Sequence, residues 1–441
     1  MEIISLFLPM LLGCVLGLFV GMVPGIGTST VLIIIYPFLL DFDLPQLFSF
    51  YSCILIVSQY CGSVSAILLG IPGEITSLPA VKEGYRFEMI GQGKQAIAIT
   101  AIYSFVGGLC ALVLFYLLLI GIEHIFFVYQ TKFQLAFLSL CIVCVTLLCN
   151  NKIIVNFALL CIGAFLGKIG YNEFMDTEFM TFDNHHLSLG IPLYAILIFL
   201  YVVPTLFQFY HEEKVMLSAK QKLIKIGKQT QYLGVAIYSS AVGFLTGLIP
   251  GTSYVMSSQL AWGLEKIRLG KKYQMPSASG LVAAETSNNS AIVSTLVPLL
   301  LFAVPITVSE AIIYNIATVG ANFWTLGWLY ETHNQVVMLS GFFVANTFGL
   351  LVAWPFARRI ISFVKTKVNY IVWVILVLLV GIFLYHGHQN MILNYYIVLA
   401  VILFPIGWRL RKLDMIPLVI GFVIQERFEL ILNILGKQLG L

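Results

Sequence analysis

The sequence contains few charged residues, and none of those before residue 82 is basic. Lysine, arginine, aspartate and glutamate make up 10% of the 441 residues, and no lysine or arginine precedes Lys82. Hydrophobic residues make up 60%, and the mean hydropathy is +0.96. Soluble domains have about 25% charged residues. This composition therefore excludes a soluble domain and predicts a protein that crosses a membrane several times. Without a basic segment before it, the first apolar stretch is expected to be a retained span, because a cleaved signal peptide begins with basic residues.

Signatures of enzymes and of metal sites are also missing. The sequence contains no HExxH, GxGD or DDxxD motif and no nucleotide-binding GxxxxGK[ST] loop. Cys141 and Cys144 lie in an apolar run with no histidine or carboxylate placed to complete a zinc site. We expect no cofactor and no metal other than a coupling ion. The net charge of +4 belongs to the loops and gives no support for a nucleic-acid partner.

Two uncharged stretches are interrupted by related Pro-Gly pairs. Gly17–Thr30 reads GLFVGMVPGIGTST and Gly243–Ser253 reads GFLTGLIPGTS, and a shift of 226 residues carries Pro24 onto Pro250. Proline removes a backbone donor and glycine permits positive φ angles, so both segments predict broken helices. Lipid cannot satisfy the freed backbone groups, so such breaks are tolerated where protein covers them or where they line a cavity. Paired breaks in two halves favour a transporter binding site, while two ordinary Pro-Gly turns are the structural alternative.

We therefore predict an all-α polytopic membrane protein with about eleven or twelve membrane elements. Its two repeat-related halves are expected to have inverted topology, with broken helices and re-entrant hairpins. The predicted parts are a first half at 1–210 with a hairpin near 61–78, a linker at 211–231, a second half at 232–367 with a hairpin near 285–310, and spans followed by an amphipathic tail at 368–441. The linker contains five lysines, and basic loops favour the cytoplasmic side.

Amide and carboxyl groups at membrane depth are costly and usually mark a site. Glu285, Asn288 and Asn289 follow the i, i+3, i+4 spacing and share one helical face. This face is predicted to couple an ion, either sodium or a proton carried by Glu285, and a polar seam between two helices is the alternative. Deep lysine and arginine are nearly absent, so an anion would be held by hydroxyls and by the N–H groups of half-helices. The predicted substrate-binding residues are Gly25, Gly27, Thr28, Gly62, Ser63, Ser65, Pro72, Gly73, Thr76, Gly251, Thr252 and Ser253.

Five motifs, taken in order, resemble those of the large membrane subunit of the tripartite tricarboxylate transporters. They are Pro24–Gly27 for the family's Pro-Gly-Leu-Gly, Tyr60–Ser63 running to Pro72-Gly73, Glu83–Phe87 for Asp-Gly-Tyr-Pro-Met, Glu285–Ser290 for Glu-Ala-Ala-Asn-Asn-Ala, and Pro417–Gly421 for Pro-Leu-Val-Leu-Gly. The chain departs from the family at Ala303–Ile306, where Gly-Ile-Pro-Gly is usual, and at Cys61, which replaces a glycine.

The resemblance implies carboxylate uptake across the inner membrane of a bacterium, driven by a proton or sodium gradient. It also implies a small four-span membrane subunit and a periplasmic solute-binding protein as partners, and a stand-alone permease is the alternative. The two departures, at Ala303–Ile306 and at Cys61, would stiffen or narrow the binding site. The family's citrate-like substrates are therefore not assumed for this chain. We expect a secondary transporter of small organic anions, of the di- or tricarboxylate class, embedded in the lipid bilayer. The alternatives are a membrane-embedded enzyme that acts on a lipid or isoprenoid with Glu285 and Glu74 as an acid–base pair, and a channel.

Overall fold

A computed structural model gives the architecture of the chain. It describes residues 2–23, 27–70, 75–172, 177–202, 229–251, 253–319, 331–353 and 393–439, together with isolated positions between 355 and 385. Within these residues the structure is helical apart from short loops and one antiparallel hairpin. The hairpin joins the three-residue strands β1 (Gly170–Asn172) and β2 (Thr177–Phe179).

The helices alternate between long apolar segments and short connecting turns. In chain order they are α1 (Glu2–Met22), α2 (Thr28–Ile34), α3 (Tyr36–Leu39), α4 (Leu44–Leu69), α5 (Leu78–Met89), α6 (Gly93–Leu148), α7 (Ile153–Lys168), α8 (His185–Ser188), α9 (Leu193–Ile196), α10 (Leu233–Gly247), α11 (Ser253–Leu269), α12 (Ala278–Phe302), α13 (Val308–Val319), α14 (Thr332–Phe348), α15 (Leu393–Leu410) and α16 (Ile416–Leu439). Short 3₁₀ turns occupy Ile75–Ser77, Gln229–Tyr232 and Gly270–Lys272, and π-helical turns occupy Leu197–Val202 and Gly349–Ala353.

Five apolar helical segments in the described residues are long enough to cross a bilayer. They are Ser5–Met22, Leu44–Leu69, Gly93–Gly121, Thr131–Leu148 and His333–Val352. The outer helices leave apolar side chains exposed, such as Ile154 at 82% and Leu117 at 58%. In a bundle surrounded by lipid these side chains face hydrocarbon rather than water. The prediction of an all-α polytopic membrane protein is confirmed.

Both predicted interruptions are present. The helix α1 ends at Met22 and α2 begins at Thr28, while α10 ends at Gly247 and α11 begins at Ser253. At the second interruption Gly251 has φ = 93°, a left-handed conformation that glycine adopts readily. The broken helices of the prediction are therefore confirmed. The repeat relation of the halves and their inverted topology stay predictions.

Glycines allow α1 to lie directly against α4. A Cβ atom at Gly21 would lie 2.1 Å from the carbonyl oxygen of Ser58, and one at Gly17 would lie 2.7 Å from that of Ile54. Because the glycines are four residues apart, they form one face that lets the two backbones approach closely. This contact holds the polar part of α4 beside the first break.

A similar contact occurs in the second half, where α10 lies against α12. A Cβ atom at Gly243 would lie 2.1 Å from the carbonyl oxygen of Ser287, and one at Gly247 would lie 2.3 Å from that of Ala291. The shift of 226 residues that relates the two Pro-Gly breaks also carries Gly17 onto Gly243. At both breaks, therefore, the glycine-bearing helix that precedes the break packs against a polar buried helix.

Two features differ from the sequence-based expectations. The segment Gly62–Ser65 was expected to be one arm of a separate hairpin near 61–78, but it forms the last turns of the uninterrupted helix α4. The chain leaves this helix at Gly70, which has φ = 70°. Two of the membrane-length segments, Gly93–Gly121 and Thr131–Leu148, are not separate helices but parts of the single helix α6. Helical hydrogen bonding continues in both places because no proline or glycine pair interrupts it.

The helices α4 and α12 form the centre of the bundle. All residues of α12 from Gly280 to Phe302 are buried, and so are those of α4 from Leu47 to Ile67. Asp43 caps the start of α4 by accepting a 2.8 Å hydrogen bond from Gln46 N, and Ser277 caps α12 through Gly280 N at 3.1 Å. Side chains that project between these two helices are therefore removed from both water and lipid.

Candidate functional site

A layer of buried polar side chains lies between α4 and α12. It contains Gln59 and Ser63 on α4 and Glu285, Asn288 and Asn289 on α12, all no more than 3% exposed. Polar groups at this depth require partners, because an unsatisfied one costs several kcal/mol in an apolar medium. We call these five residues the central polar layer.

Gln59 connects three elements within the central polar layer. Its Oε1 accepts a 2.8 Å hydrogen bond from Thr76 Oγ1, just after the end of α4, and a 3.1 Å bond from Asn288 Nδ2 on α12. Ser258 on α11 donates to the carbonyl oxygen of Thr76 at 2.6 Å. The chain after the first half's Pro72-Gly73 pair is thereby tied to the second half.

Glu285 is the only carboxylate of this layer. The Ser63 hydroxyl donates a hydrogen bond to its Oε2. Asn289 Nδ2 donates to the backbone carbonyl of Glu285 at 3.2 Å, one turn back along the same helix. Ser63 and Glu285 therefore join the two halves by a second contact beside that of Gln59 and Asn288.

Three oxygen atoms of the central polar layer are left without hydrogen-bond partners among the described residues. They are Glu285 Oε1, Asn288 Oδ1 and Asn289 Oδ1. All three are acceptors, and the spacing of their residues places them on one face of α12. Acceptor oxygens without donors are what a hard cation requires, whereas a simple polar seam would satisfy them with donors from the other helix.

A second buried network fixes the start of α12. Glu83 on α5 is fully buried and accepts hydrogen bonds from Trp262 Nε1 at 2.8 Å, from Ser277 N at 2.8 Å and from the hydroxyl of Tyr273. Burial and the bond to Glu83 raise the pKa of Tyr273, which therefore stays a protonated donor. Because Ser277 is the residue that caps α12, this network sets the position of the helix that carries Glu285.

The structure brings several predicted site residues together and separates others. Ser63 and Thr76 meet the predicted ion-coupling residues through Glu285 and Gln59. Thr28 Oγ1 lies 3.1 Å from Ser58 Oγ, which places α2 against α4 next to Gln59. All of the residues in this group are buried.

Other predicted residues point elsewhere. The Ser65 hydroxyl donates to the carbonyl oxygens of Gly62 at 2.9 Å and Gly21 at 3.4 Å, so it faces α1. Gly251 lies against Cys144 of α6, and no atom lies within 4 Å of a Cβ placed at Gly27. Ser253 begins α11. The predicted residues Gly25, Pro72, Gly73 and Thr252 lie outside the described residues, as do most of the linker at 211–231 and Glu74.

Gln59 is the residue that the sequence analysis missed. It lies in the uncharged run that begins at Leu44, and its signal was available as a side-chain amide at membrane depth. The Pro72-Gly73 pair in the sequence predicted a turn, and the candidate residues were those on either side of it. Only the packing of α4 against α12 shows that Gln59 contacts both Thr76 and Asn288.

Comparison with known proteins agrees with these motifs. The model of the tripartite tricarboxylate transporter TctA family matches residues 7–420. An uncharacterised 52.8 kDa protein from Agrobacterium vitis, described as lying in the TAR-I ttuC′ 3′ region, is 25% identical over 300 residues. The match covers 66% of this chain and 60% of that relative. No solved structure matches the chain significantly.

Proposed function

We propose that this chain is the large permease subunit of a secondary transporter for small organic anions. The proposal starts from the family, because the chain belongs to the tripartite tricarboxylate transporter TctA family. The substrates would be di- or tricarboxylates, and uptake would be driven by a cation gradient. The observation that carries the proposal is the central polar layer, where Glu285, Asn288 and Asn289 have buried acceptor oxygens with no hydrogen-bond partner in the part of the chain that the structure describes. Membrane proteins retain such groups where they bind ions or substrates.

Sodium is the coupling ion that this layer supports best. A proton needs one acceptor, and Glu285 alone could take it. Three acceptor oxygens on one helical face instead resemble part of a coordination shell. A bound cation would also offset the cost of burying the substrate's negative charge, since pairing lowers the cost of burying either charge.

Access to this layer requires a conformational change. Gln59, Ser63 and Asn288 are all buried, so a substrate cannot reach them from either side without opening of the bundle. The breaks between α1 and α2 and between α10 and α11 flank the helices that would separate. Such rearrangement around a fixed central site is how secondary transporters alternate their access.

We further propose the partners and the location that the family suggests. A small four-span membrane subunit and a periplasmic solute-binding protein would complete the system, and the chain would lie in the inner membrane. The several membrane-length helices support a multi-pass membrane protein. Co-purification of the tagged chain with the products of neighbouring genes tests this assembly.

Uptake by the reconstituted protein tests the proposed activity. The full chain, with and without its partner subunits, is placed in sealed liposomes with an imposed sodium or proton gradient. Accumulation of a labelled dicarboxylate or tricarboxylate above its external concentration is the expected result. Equilibration without accumulation would favour a channel. Chemical change of a lipid or isoprenoid, with no accumulation, would favour a membrane-embedded enzyme instead.

Two serines of α4 provide a matched test of where the substrate binds. Ser63→Ala is expected to weaken substrate binding by about tenfold or more, because in the substrate-bound state its hydroxyl would turn from Glu285 to the substrate carboxylate, and loss of a hydrogen bond to a charged group costs ~1.5–3 kcal/mol. Ser65→Ala is expected to change it less than about twofold, because its hydroxyl donates to backbone carbonyls of α1 and α4. Substrate Kd values of the two purified variants check this. Equal effects would place the substrate away from the α4–α12 contact.

A further inference from the structure

Another buried carboxylate, that of Glu310, lies away from the central polar layer, at the turn that joins α12 to α13. All residues of this turn, Ala303–Thr307, are buried, and Glu310 in the first turn of α13 is 0% exposed. Between Lys272 and Glu331, Glu285 and Glu310 are the only charged residues in the sequence. The turn coincides with the segment in which the chain departs from the family motif.

One oxygen of the Glu310 carboxylate is fully used. Its Oε2 accepts hydrogen bonds from Ile306 N at 2.8 Å and from Thr307 N at 3.1 Å, and Thr307 Oγ1 accepts one from Glu310 N at 3.2 Å. This is a reciprocal capping box at the start of α13. The N–H groups and the positive end of the helix stabilise negative charge on this side of the carboxylate.

The other oxygen, Oε1, has no hydrogen-bond partner among the described residues. Capping alone does not explain why residue 310 is a glutamate, because a glutamine would make the same cap without placing a charge in the bundle. A buried carboxylate that is only half satisfied is strongly unfavourable unless a cation accompanies it. In the described part of the chain, no lysine, arginine or histidine forms an ion pair or hydrogen bond with Glu310.

Several hydroxyl groups lie near the cap that holds this carboxylate. Ser309 Oγ lies 3.2 Å from Thr307 Oγ1 and accepts a 2.9 Å hydrogen bond from Tyr51 on α4. The Thr295 hydroxyl on α12 lies beside the Glu310 carboxylate. The other titratable groups that face this region are Tyr51 and the thiol of Cys141 on α6. The ligand set is therefore one carboxylate with several neutral oxygens.

The C-terminal end of α12 adds to the attraction for a cation. The helix stops at Phe302, and Ala303 adopts a left-handed conformation with φ = 54°. The carbonyl oxygens of a helix C-terminus carry partial negative charge, and such ends together with unwound backbone bind cations in transporters. A single carboxylate with neutral oxygens provides one negative charge, which suits a monovalent ion better than a divalent one.

We propose that Glu310, Thr307, Ser309 and the turn 303–307 form a binding site for a sodium ion, separate from the central polar layer. The ten residues of α12 between Glu285 and Thr295 place it roughly 15 Å from Glu285. A role for this ion in coupling rests on the proposed transport function, but binding itself does not. With the sodium ion proposed for the central polar layer, the chain would then hold two buried cations.

The test measures sodium binding without transport. The full chain in detergent is heated in increasing NaCl, with choline chloride holding the ionic strength constant, and Tm is recorded. A ligand that binds only the folded state raises Tm with its concentration. Asn288→Ala disables the sodium site proposed for the central polar layer. In this variant, sodium is still expected to raise the Tm. Adding Glu310→Gln, which keeps the cap and the side-chain shape, is expected to abolish the remaining shift.

The opposite results are equally specific. Identical sodium curves for Asn288→Ala and for the double variant would overturn the proposed site. A Tm that responds to pH but not to sodium in the Asn288→Ala protein would also overturn it in favour of a proton. Failure of the wild-type protein to accumulate substrate, with the Tm result as expected, would refute the transport function and leave the sodium site intact.

A milder variant covers the case in which Glu310→Gln does not fold. Ser309→Ala retains the carboxylate and the capping box but removes one oxygen ligand. We expect the sodium concentration for the half-maximal Tm shift to rise by about tenfold. Ser340→Ala is the matched control, because its hydroxyl donates to the Val337 carbonyl of its own helix, and its sodium curve should equal that of the parent. Equal curves for both serine variants would contradict the proposed site.

Discussion

Replacing Asn288 by alanine is expected to raise the sodium concentration for half-maximal uptake by about tenfold or more. The spacing of the residues places the buried Asn288 Oδ1 on the same helical face as the Glu285 and Asn289 oxygens, and none of these has a hydrogen-bond partner among the described residues. Loss of one ligand to a charged partner costs ~1.5–3 kcal/mol, which corresponds to a factor of about ten to a hundred and fifty in affinity. Substrate affinity at saturating sodium should change much less, because the ion site is then filled.

Glu285→Gln tests the charge of the same site. The variant retains an oxygen to accept the Ser63 hydroxyl, but it removes the negative charge that would hold a cation. We expect sodium-driven accumulation to be lost while folded protein is retained. Uptake measured against sodium at several fixed pH values, with size-exclusion profiles for folded protein, checks both variants.

Ser294→Ala is the control for these two variants. It also lies buried on α12, but its hydroxyl donates to the Ala291 carbonyl of the same helix at 2.9 Å. Its sodium curve should equal that of the wild type. If Asn288→Ala also gives wild-type sodium and pH curves at normal abundance, the central polar layer does not couple the ion. If only Glu285→Gln changes uptake, and it does so by removing the pH dependence, the ion is a proton.

Gly21→Ala is expected to destabilise the folded protein severely, although it adds a single methyl group. That methyl would lie 2.1 Å from the carbonyl oxygen of Ser58, so α1 and α4 would have to separate. Overpacking of this kind costs roughly 1–3 kcal/mol or more. Separation would also move Ser58 and Gln59 away from their partners, so we expect loss of both folded protein and uptake.

Gly234→Ala is the matched control for Gly21→Ala. Gly234 is exposed near the start of α10, and a Cβ atom there meets nothing within 4 Å. Alanine is the better helix former at both positions by about 1 kcal/mol, so helix propensity cannot explain a loss seen only at Gly21. Yield of monodisperse protein and Tm in detergent are the measurements. Equal values for the two variants would show that the α1–α4 contact is looser than the structure indicates.

Glu285 and Glu310 have different relations to the family motifs. Glu285 lies in the Glu-Ala-Ala-Asn-Asn-Ala-like motif, whereas Glu310 follows the turn at Ala303–Ile306, where the chain departs from the family. Both carboxylates have one oxygen held by donors and one without a partner among the described residues. A transporter that binds two cations could carry an anion of higher charge for the same net movement of charge. Counting the sodium ions carried with each substrate molecule would show whether both sites take part in coupling.

The sequence by itself determined the class of the protein and the position of its breaks. Scarce charge and long apolar runs leave the bilayer as the only medium in which most of this chain can be buried. The Pro-Gly pairs that begin at Pro24 and Pro250 favour breaks, because proline lacks a backbone donor and glycine permits non-helical φ angles, whereas the lone Pro298 remains inside α12. The helical spacing of Glu285, Asn288 and Asn289 likewise determined that they share a face. These properties depend on local covalent chemistry and on helix periodicity, which the sequence expresses directly.

Only the tertiary structure decided which polar residues meet. Ser63 and Ser65 are two residues apart and alike in the sequence, yet Ser63 contacts Glu285 and Ser65 faces Gly21. Two residues correspond to a rotation of about 200° around a helix, so the packing of α4 between α1 and α12 determines their different partners. Gln59 acquires its importance in the same way, through its contact with Asn288, which is 229 residues away in the sequence.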